Sequence, residues 1–479
     1  MRKFMKKSIL EIFQTMYEAH RNIKQFIEKK NFENANIVLG DCQNTAIQIG
    51  EAIESSEGEG FVTVSYLEEY CEAVYEFSAS ISDNYNGNKA QKVLDKLLIK
   101  AENSVKNDIK VRLEVVFCPY KASMWDSLES VWKAADEDPD CDAYVVPIPY
   151  YDRNPDYSFG EFHYEGGDYP DYVPITHYEA YKLDLMKPDI IYIHSPYDQY
   201  NNVTSVDPRF YSYELKKHTD MLVYIPYYVV AHENVNESMF NNSACLHAER
   251  VILQSKPLRE KYIGLYSRLT DTDRFELQRR FVALGSPKFD AIVNADKNDY
   301  IIPDEWKSII GGRKIVMYNT SISAALADTG RFMEKLRKTI EYFKGSLEYA
   351  LWWRPHPLLC STIESMRPQF LDEYRNIVSM YRREKAGIYD DTPELQRAIV
   401  LSDMYYGDYK SSVGIIYCAT GKPIISAHID RDGEISSFNL DKHKYFRDNS
   451  TLDVLKRNEN YDGTAGIHIH NYIKGEVTK

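Results

Sequence analysis

At 479 residues the chain exceeds what one hydrophobic core of ordinary size organises, so two or three domains are expected. A composition of 44% hydrophobic and 27% charged residues excludes a disordered or fibrous chain, and a formal net charge of −14 excludes a dominant electrostatic grip on nucleic acid. The seven scattered cysteines form no C-x-x-C pair and read as reduced thiols, and no run reaches the ~18 to 20 apolar residues of a spanning helix, so a cytoplasmic protein is expected.

The first 118 residues contain no proline, and their apolar residues recur at three- and four-residue steps. The series Ile9, Phe13, Met16, Ile23, Ile27, then Ala35 to Ile53, Leu67 to Ile81, and Val93, Leu97, Ala101, Val105 predict four amphipathic helices. Residues 1–108 therefore read as a helical module, with self-association into a homo-oligomer as its sharper reading. Arg2, Lys3, Lys6 and Lys7 beside Phe4, Ile9 and Phe13 add a second one, peripheral contact with the inner face of a membrane.

From Lys110 the period changes. Val111 to Phe117 predicts a strand and Ser123 to Ala135 a helix, and further buried strands are expected at 143–148, 190–194, 221–225 and 251–254. Residues 109–297 read as a Rossmann-like acceptor domain. The Tyr-, Asp- and Gly-rich stretch Tyr150 to Tyr172 is too long for a plain connector and reads as a substrate-facing lid or a packed surface loop. A second series alternates strands at 314–318, 348–353, 404–406 and 423–428 with helices at 329–343, 392–401 and 411–419, so 298–450 reads as a second Rossmann-like domain that takes the donor nucleotide. Residues 451–479 read as a helical tail. The predicted class is α/β, two Rossmann-like domains of GT-B type preceded by an α-helical module.

The chemistry concentrates in the second series. Arg354-Pro355-His356-Pro357 ends a strand, so that a guanidinium fork and an imidazole emerge from a stiffened loop, both suited to phosphate oxygens. Ser402-Asp403 through Gly407-Asp408-Tyr409-Lys410-Ser411-Ser412 reads as strand, turn and paired serines opening a helix, where hydroxyls and unpaired backbone N–H groups meet anions. In the first series the residues after predicted strand ends are the candidates for an acceptor base: Asp126, His194 and His232, with Lys121, Ser123 and Tyr227 beside them. The acidic pairs at 140–142, 271–273 and 430–432 read as solvated loop charges, and no metal site is expected.

The combination Arg354-Pro355-His356-Pro357, Ser402-Asp403, Asp408, Ser411-Ser412-Val413 and Gly421-Lys422-Pro423-Ile424, with Gly285-Ser286-Pro287-Lys288-Phe289-Asp290 upstream, resembles the CDP-glycerol glycerophosphotransferases, the teichoic acid polymerases and primases. That resemblance implies a GT-B fold, a CDP-linked donor such as CDP-glycerol, no cofactor and no obligatory metal. The acceptor it implies is the hydroxyl of a cell-envelope polymer or lipid-linked molecule. It implies that Arg354 and His356 contact the donor diphosphate and that Ser411 and Ser412 bind it at a helix N-terminus, with Asp408 alongside. By its chemistry His356 is expected to donate a hydrogen bond or a proton to the departing phosphate, and Lys410 to add a positive charge. The family's Trp-His-Gly-Thr acceptor element is missing here. Two alternatives stay open, a CMP-sugar-dependent GT-B glycosyltransferase and a catalytically silent nucleotide-binding scaffold.

Overall fold

The computed structural model describes residues 1–81, 86–230, 240–392, 394–407, 411–426 and 455–478, a mixed α/β chain with parallel sheets. It divides into two compact units, the first formed by residues 1–115, 138–142 and 187–189 and the second by the remainder.

The first unit holds helices α1 (Lys3–Glu28), α2 (Phe32–Glu57), α3 (Val62–Ser80) and α4 (Gly87–Asn107). Ile9, Phe13, Met16, Ile23 and Ile27 of α1 meet Leu39, Ala46 and Ile53 of α2 in a shared apolar core. On α4 the buried stripe is Ala90, Leu94, Leu98, Ala101 and Val105, one residue out of register with the expected Val93 and Leu97. Val-Leu and Leu-Leu-Ile are runs of neighbours, so periodicity cannot choose which apolar residue faces inward. Within this core His20 is fully buried, its Nδ1 2.7 Å from Asp95 Oδ1 and its Nε2 2.7 Å from the Tyr70 hydroxyl. Lys6, one of the residues expected to favour a membrane, donates to the carbonyls of Lys106 and Ile109 at 2.9 and 2.7 Å, covering the end of α4. Among the described residues no helix is long and apolar enough to cross a membrane.

Two larger sheets and one smaller one follow the helices in the chain. The first takes strands β1 (Leu113–Cys118), β2 (Cys141–Val145), β5 (Ile190–Ile193), β7 (Met221–Tyr224), β8 (Arg250–Leu253) and β9 (Phe281–Ala283) in the order β2-β1-β5-β7-β8-β9, and β5, β7, β8 and β9 pair in parallel. The stretch expected to form a lid is partly regular instead. β3 (Tyr150–Arg153) and β4 (Phe159–His163) form an antiparallel hairpin extended by β6 (Thr204–Val206). The Asn154-Pro155-Asp156 turn chemistry and the Tyr/Phe alternation carry that signal, which aromatic richness alone obscured.

The second sheet takes β10 (Lys314–Thr320), β11 (Tyr349–Pro355), β12 (Ile388–Tyr389), β13 (Met404–Gly407) and β14 (Ile424–Ser426) in the order β12-β11-β10-β13-β14, with every pair parallel. Its strands are buried on both faces and read as near-continuous apolar runs, which is why β10, β11 and β13 were legible in sequence. β12, two residues long, was not. The final helix, Ala465–Val477, buries Ile469 and Ile473.

Candidate functional site

In the second sheet the chain order reverses at β10, so the carboxyl ends of β10 and β13 diverge into opposite crossovers and leave a crevice, the place where ligands enter open α/β sheets. The local chemistry there is polar. β10 ends in Asn319 and Thr320, and Ser321 caps the following turn of helix by accepting from the Ala324 amide at 3.2 Å. β13 ends in Gly407, whose φ is +153° and whose Cα sits so close to β10 that a Cβ would lie 2.6 Å from the Asn319 carbonyl oxygen. Across the gap Ser411 accepts from the Gly414 amide at 3.1 Å and lies 3.4 Å from the Tyr405 hydroxyl, which in turn lies 3.4 Å from Asn319 Nδ2. Asn319, Ser321 and Gly407 were not singled out from sequence. The pairing of β10 with β13 sets Asn319 opposite Gly407, and Tyr405 links Asn319 to Ser411.

The Arg354-His356 loop follows β11, on the other side of β10 from β13, and lines a separate cavity with Tyr374, Tyr389, Asp390 and Thr392. The His356 amide donates to the Thr320 carbonyl at 3.0 Å, tying the ends of β11 and β10. His356 itself is exposed. Its Nδ1 accepts from the Leu358 amide at 3.1 Å, which leaves Nε2 as the edge facing solvent, and desolvation by the surrounding loop lowers its pKa. Arg354 is arranged differently from the expected diphosphate clamp. Its side chain is buried, Nη1 lies 2.7 Å from Asp390 Oδ2, and Nη2 donates to the Thr392 carbonyl. Asp390 is fully buried and also accepts from Trp352 Nε1 at 2.9 Å and from the Thr392 hydroxyl at 2.6 Å. This ion pair supports the loop that presents His356, and sequence reasoning missed Asp390 because it lies 36 residues away, just after the two-residue edge strand β12. Asp403 ties the start of β13 to β10 by accepting from the Ile315 amide at 2.7 Å. Asp408 and Lys410 lie outside the described residues, as does His232.

The first sheet has its own reversal at β1, and His194 follows the end of β5 beside it. The imidazole is fully buried, accepts from the Tyr120 amide at 3.0 Å through Nε2, and lies 3.0 Å from the Ser127 hydroxyl through Nδ1. Ser127 donates onward to the Met124 carbonyl at 2.7 Å, so Nδ1 carries the proton and the ring is neutral. Burial, reinforced by the Lys288 charge, lowers its pKa to about 3. Neither nitrogen has a lone pair left for a substrate proton. Asp126 likewise lies not in open solvent but against Lys288, whose Nζ is 2.5 and 2.7 Å from its two carboxylate oxygens, both side chains being under 10% exposed. Lys288 belongs to the Gly-Ser-Pro-Lys segment after β9. Two residues on, Asp290 accepts from the Ser130 hydroxyl and the Gly466 amide, each at 2.7 Å, and anchors the start of the final helix.

No protein-family model and no curated protein matches the sequence. Among solved structures, one described as a UDP-N-acetylglucosamine 2-epimerase from Listeria monocytogenes shares 12% identity, aligns over 76% of this chain and 97% of its own, and gives a TM-score of 0.48. The Methanocaldococcus jannaschii UDP-GlcNAc 2-epimerase in complex with UDP-GlcNAc and UDP shares 10% identity over 76% of this chain and 100% of its own, with a TM-score of 0.42. The Neisseria meningitidis UDP-GlcNAc 2-epimerase bound to UDP-GlcNAc shares 8% identity over 76% of this chain and 99% of its own, also at 0.42. These findings correct the expectation of a CDP-glycerol glycerophosphotransferase. No family model matches the chain, and these solved structures are described as UDP-N-acetylglucosamine 2-epimerases, not as CDP-glycerol glycerophosphotransferases.

Proposed function

We propose that the chain is a two-domain, GT-B-like nucleotide-sugar enzyme, an epimerase or glycosyltransferase, whose second sheet holds the nucleotide diphosphate. The single observation that carries this reading is the crevice between the carboxyl ends of β10 and β13, where Gly407 lets backbone approach closely and Ser411, Ser412, Ser321 and Asn319 supply hydroxyl and amide groups. His356 follows the adjacent strand, tied to the end of β10 through the Thr320 carbonyl, and its Nε2 is left to donate to a phosphate oxygen. UDP, UDP-GlcNAc and UDP-glucose, which are bound by proteins of similar fold, are the first probes to try.

The test is calorimetric titration of the chain with UDP and UDP-GlcNAc, followed by analysis of the sugar product for inversion at C2 and of free UDP release in the presence of glycan acceptors. Saturable binding lost in Ser411→Ala together with Gly407→Ala supports the reading. Absence of binding by any nucleoside diphosphate, or binding indifferent to both changes, sinks it. A second reading, nucleotide binding without turnover, is favoured by the internal engagement of His194, Asp126 and Arg354. It predicts saturable binding with neither epimer nor released UDP.

A further inference from the structure

The β3–β4 hairpin collects three metal-ligating side chains on one face. Tyr150 stands opposite His163 in the antiparallel register, and residues two apart along a strand share a face, so Asp152 and Glu161 join Tyr150 and His163 on that side. The register slips by one between Tyr151 and Arg153, and this irregularity sets Asp152 opposite the Gly160-Glu161 pair and re-aims the glutamate. Gly160 leaves little room there, since a Cβ would stand 3.3 Å from the Asp152 carbonyl oxygen. His163 Nε2 lies 3.0 Å from Asp152 Oδ2, and its ring stacks on Tyr150 at 4.9 Å and 21°, which holds the imidazole in place. Tyr150 is itself fixed, donating to Glu165 Oε1 at 2.5 Å.

One ligand atom from each of Asp152, Glu161 and His163 lies within 4.8 Å of the others. An ion with ligand bonds of about 2.1 Å needs such atoms roughly 3 to 4.2 Å apart, a gap that rotation of the exposed Glu161 side chain closes. Among the described residues neither Asp152 nor Glu161 pairs with a lysine or an arginine, so no cationic side chain competes with a metal ion for these carboxylates.

We propose that Asp152, Glu161 and His163 form a divalent metal site, with the imidazole selecting a transition ion such as Zn2+ over Mg2+ or Ca2+, the two carboxylates admitting Mn2+ as a weaker ion, and water completing the shell on the open side. The ion takes the place of the hydrogen that now joins His163 to Asp152 and fastens β4 to β3.

The experiment is Mn2+ titration of the full chain in metal-free buffer, read by loss of the free-ion paramagnetic resonance signal, with Zn2+ as competitor. One Mn2+ per chain, displaced by Zn2+, is expected. Glu161→Gln and His163→Ala should each weaken binding at least about tenfold. Asp156→Asn, an exposed carboxylate in the turn of the same hairpin, should leave it unchanged. Glu161 is exposed and His163 half-buried, and circular dichroism of both variants verifies folding. No saturable Mn2+ binding below about 1 mM, or equal binding by wild type and both ligand variants, overturns the site.

Discussion

The backbone amide of Tyr120 donates to Nε2 of His194 at 3.0 Å, and this one bond decides what the imidazole can do. An acceptor at Nε2 forces the proton onto Nδ1, toward Ser127, and any second proton would have to evict the amide.

The pH dependence of stability follows. The folded ring stays neutral down to about pH 3, whereas an unfolded histidine takes up a proton near its ordinary 6.5. Between those values the unfolded chain binds more protons, so stability falls as pH falls through that window, by up to roughly 4 to 5 kcal/mol for a full shift of this size. His194→Gln, which can still accept from Tyr120 and donate to Ser127, should flatten the acid limb of stability measured by urea unfolding between pH 7 and pH 4.5. Identical slopes in mutant and wild type would show that His194 is not the group that titrates.

The buried Asp126–Lys288 pair should behave as a coupled unit. Lys288→Met strands a carboxylate that is 8% exposed and should cost about 3 to 5 kcal/mol, while the double change Asp126→Leu with Lys288→Met should recover much of that loss. Denaturant unfolding of the four proteins of the cycle checks it. Additive losses would mean that the two side chains are stabilised by other neighbours.

His356 and Arg354 should separate cleanly although they are two residues apart. His356→Ala should change stability by no more than about 0.5 kcal/mol, because the ring is exposed, and should weaken UDP binding by roughly tenfold through loss of an outward donor. Arg354→Ala removes the cation facing the fully buried Asp390 and should cost about 3 to 5 kcal/mol whatever its effect on ligand. Melting temperature and titration calorimetry on both variants distinguish them. A stable Arg354→Ala protein with lost UDP affinity would return Arg354 to direct phosphate contact.

Gly407→Ala tests the crevice itself. The added methyl carbon would lie 2.6 Å from the Asn319 carbonyl oxygen, so β13 must shift or the backbone must strain by about 1 to 3 kcal/mol. UDP affinity should fall at least about tenfold, since Ser411 is carried on the segment that follows. Unchanged affinity in a folded protein would move the nucleotide away from the β10–β13 crevice.

Several features were decided by the amino-acid order alone. Apolar runs and helical stripes placed the four N-terminal helices and strands at 314–318, 348–353 and 404–406, against the observed 314–320, 349–355 and 404–407, because a strand buried on both faces and a helix with one apolar side each leave a pattern in the chain. The same reading pointed to His356 and Ser411, since each follows a strand whose end was visible.

Tertiary structure decided the rest. β12 is two residues long and β6 three, too short to leave a pattern. The Tyr-rich stretch hid a hairpin because its alternation mixes aromatic, acidic and glycine residues. The roles of Arg354, Asp126 and His194 turned on Asp390, Lys288 and Tyr120, which lie 36, 162 and 74 residues from them in sequence. A charged or polar side chain takes its chemistry from what stands within about 3 Å of it, and that neighbour is set by strand order and burial, quantities a linear pattern does not carry.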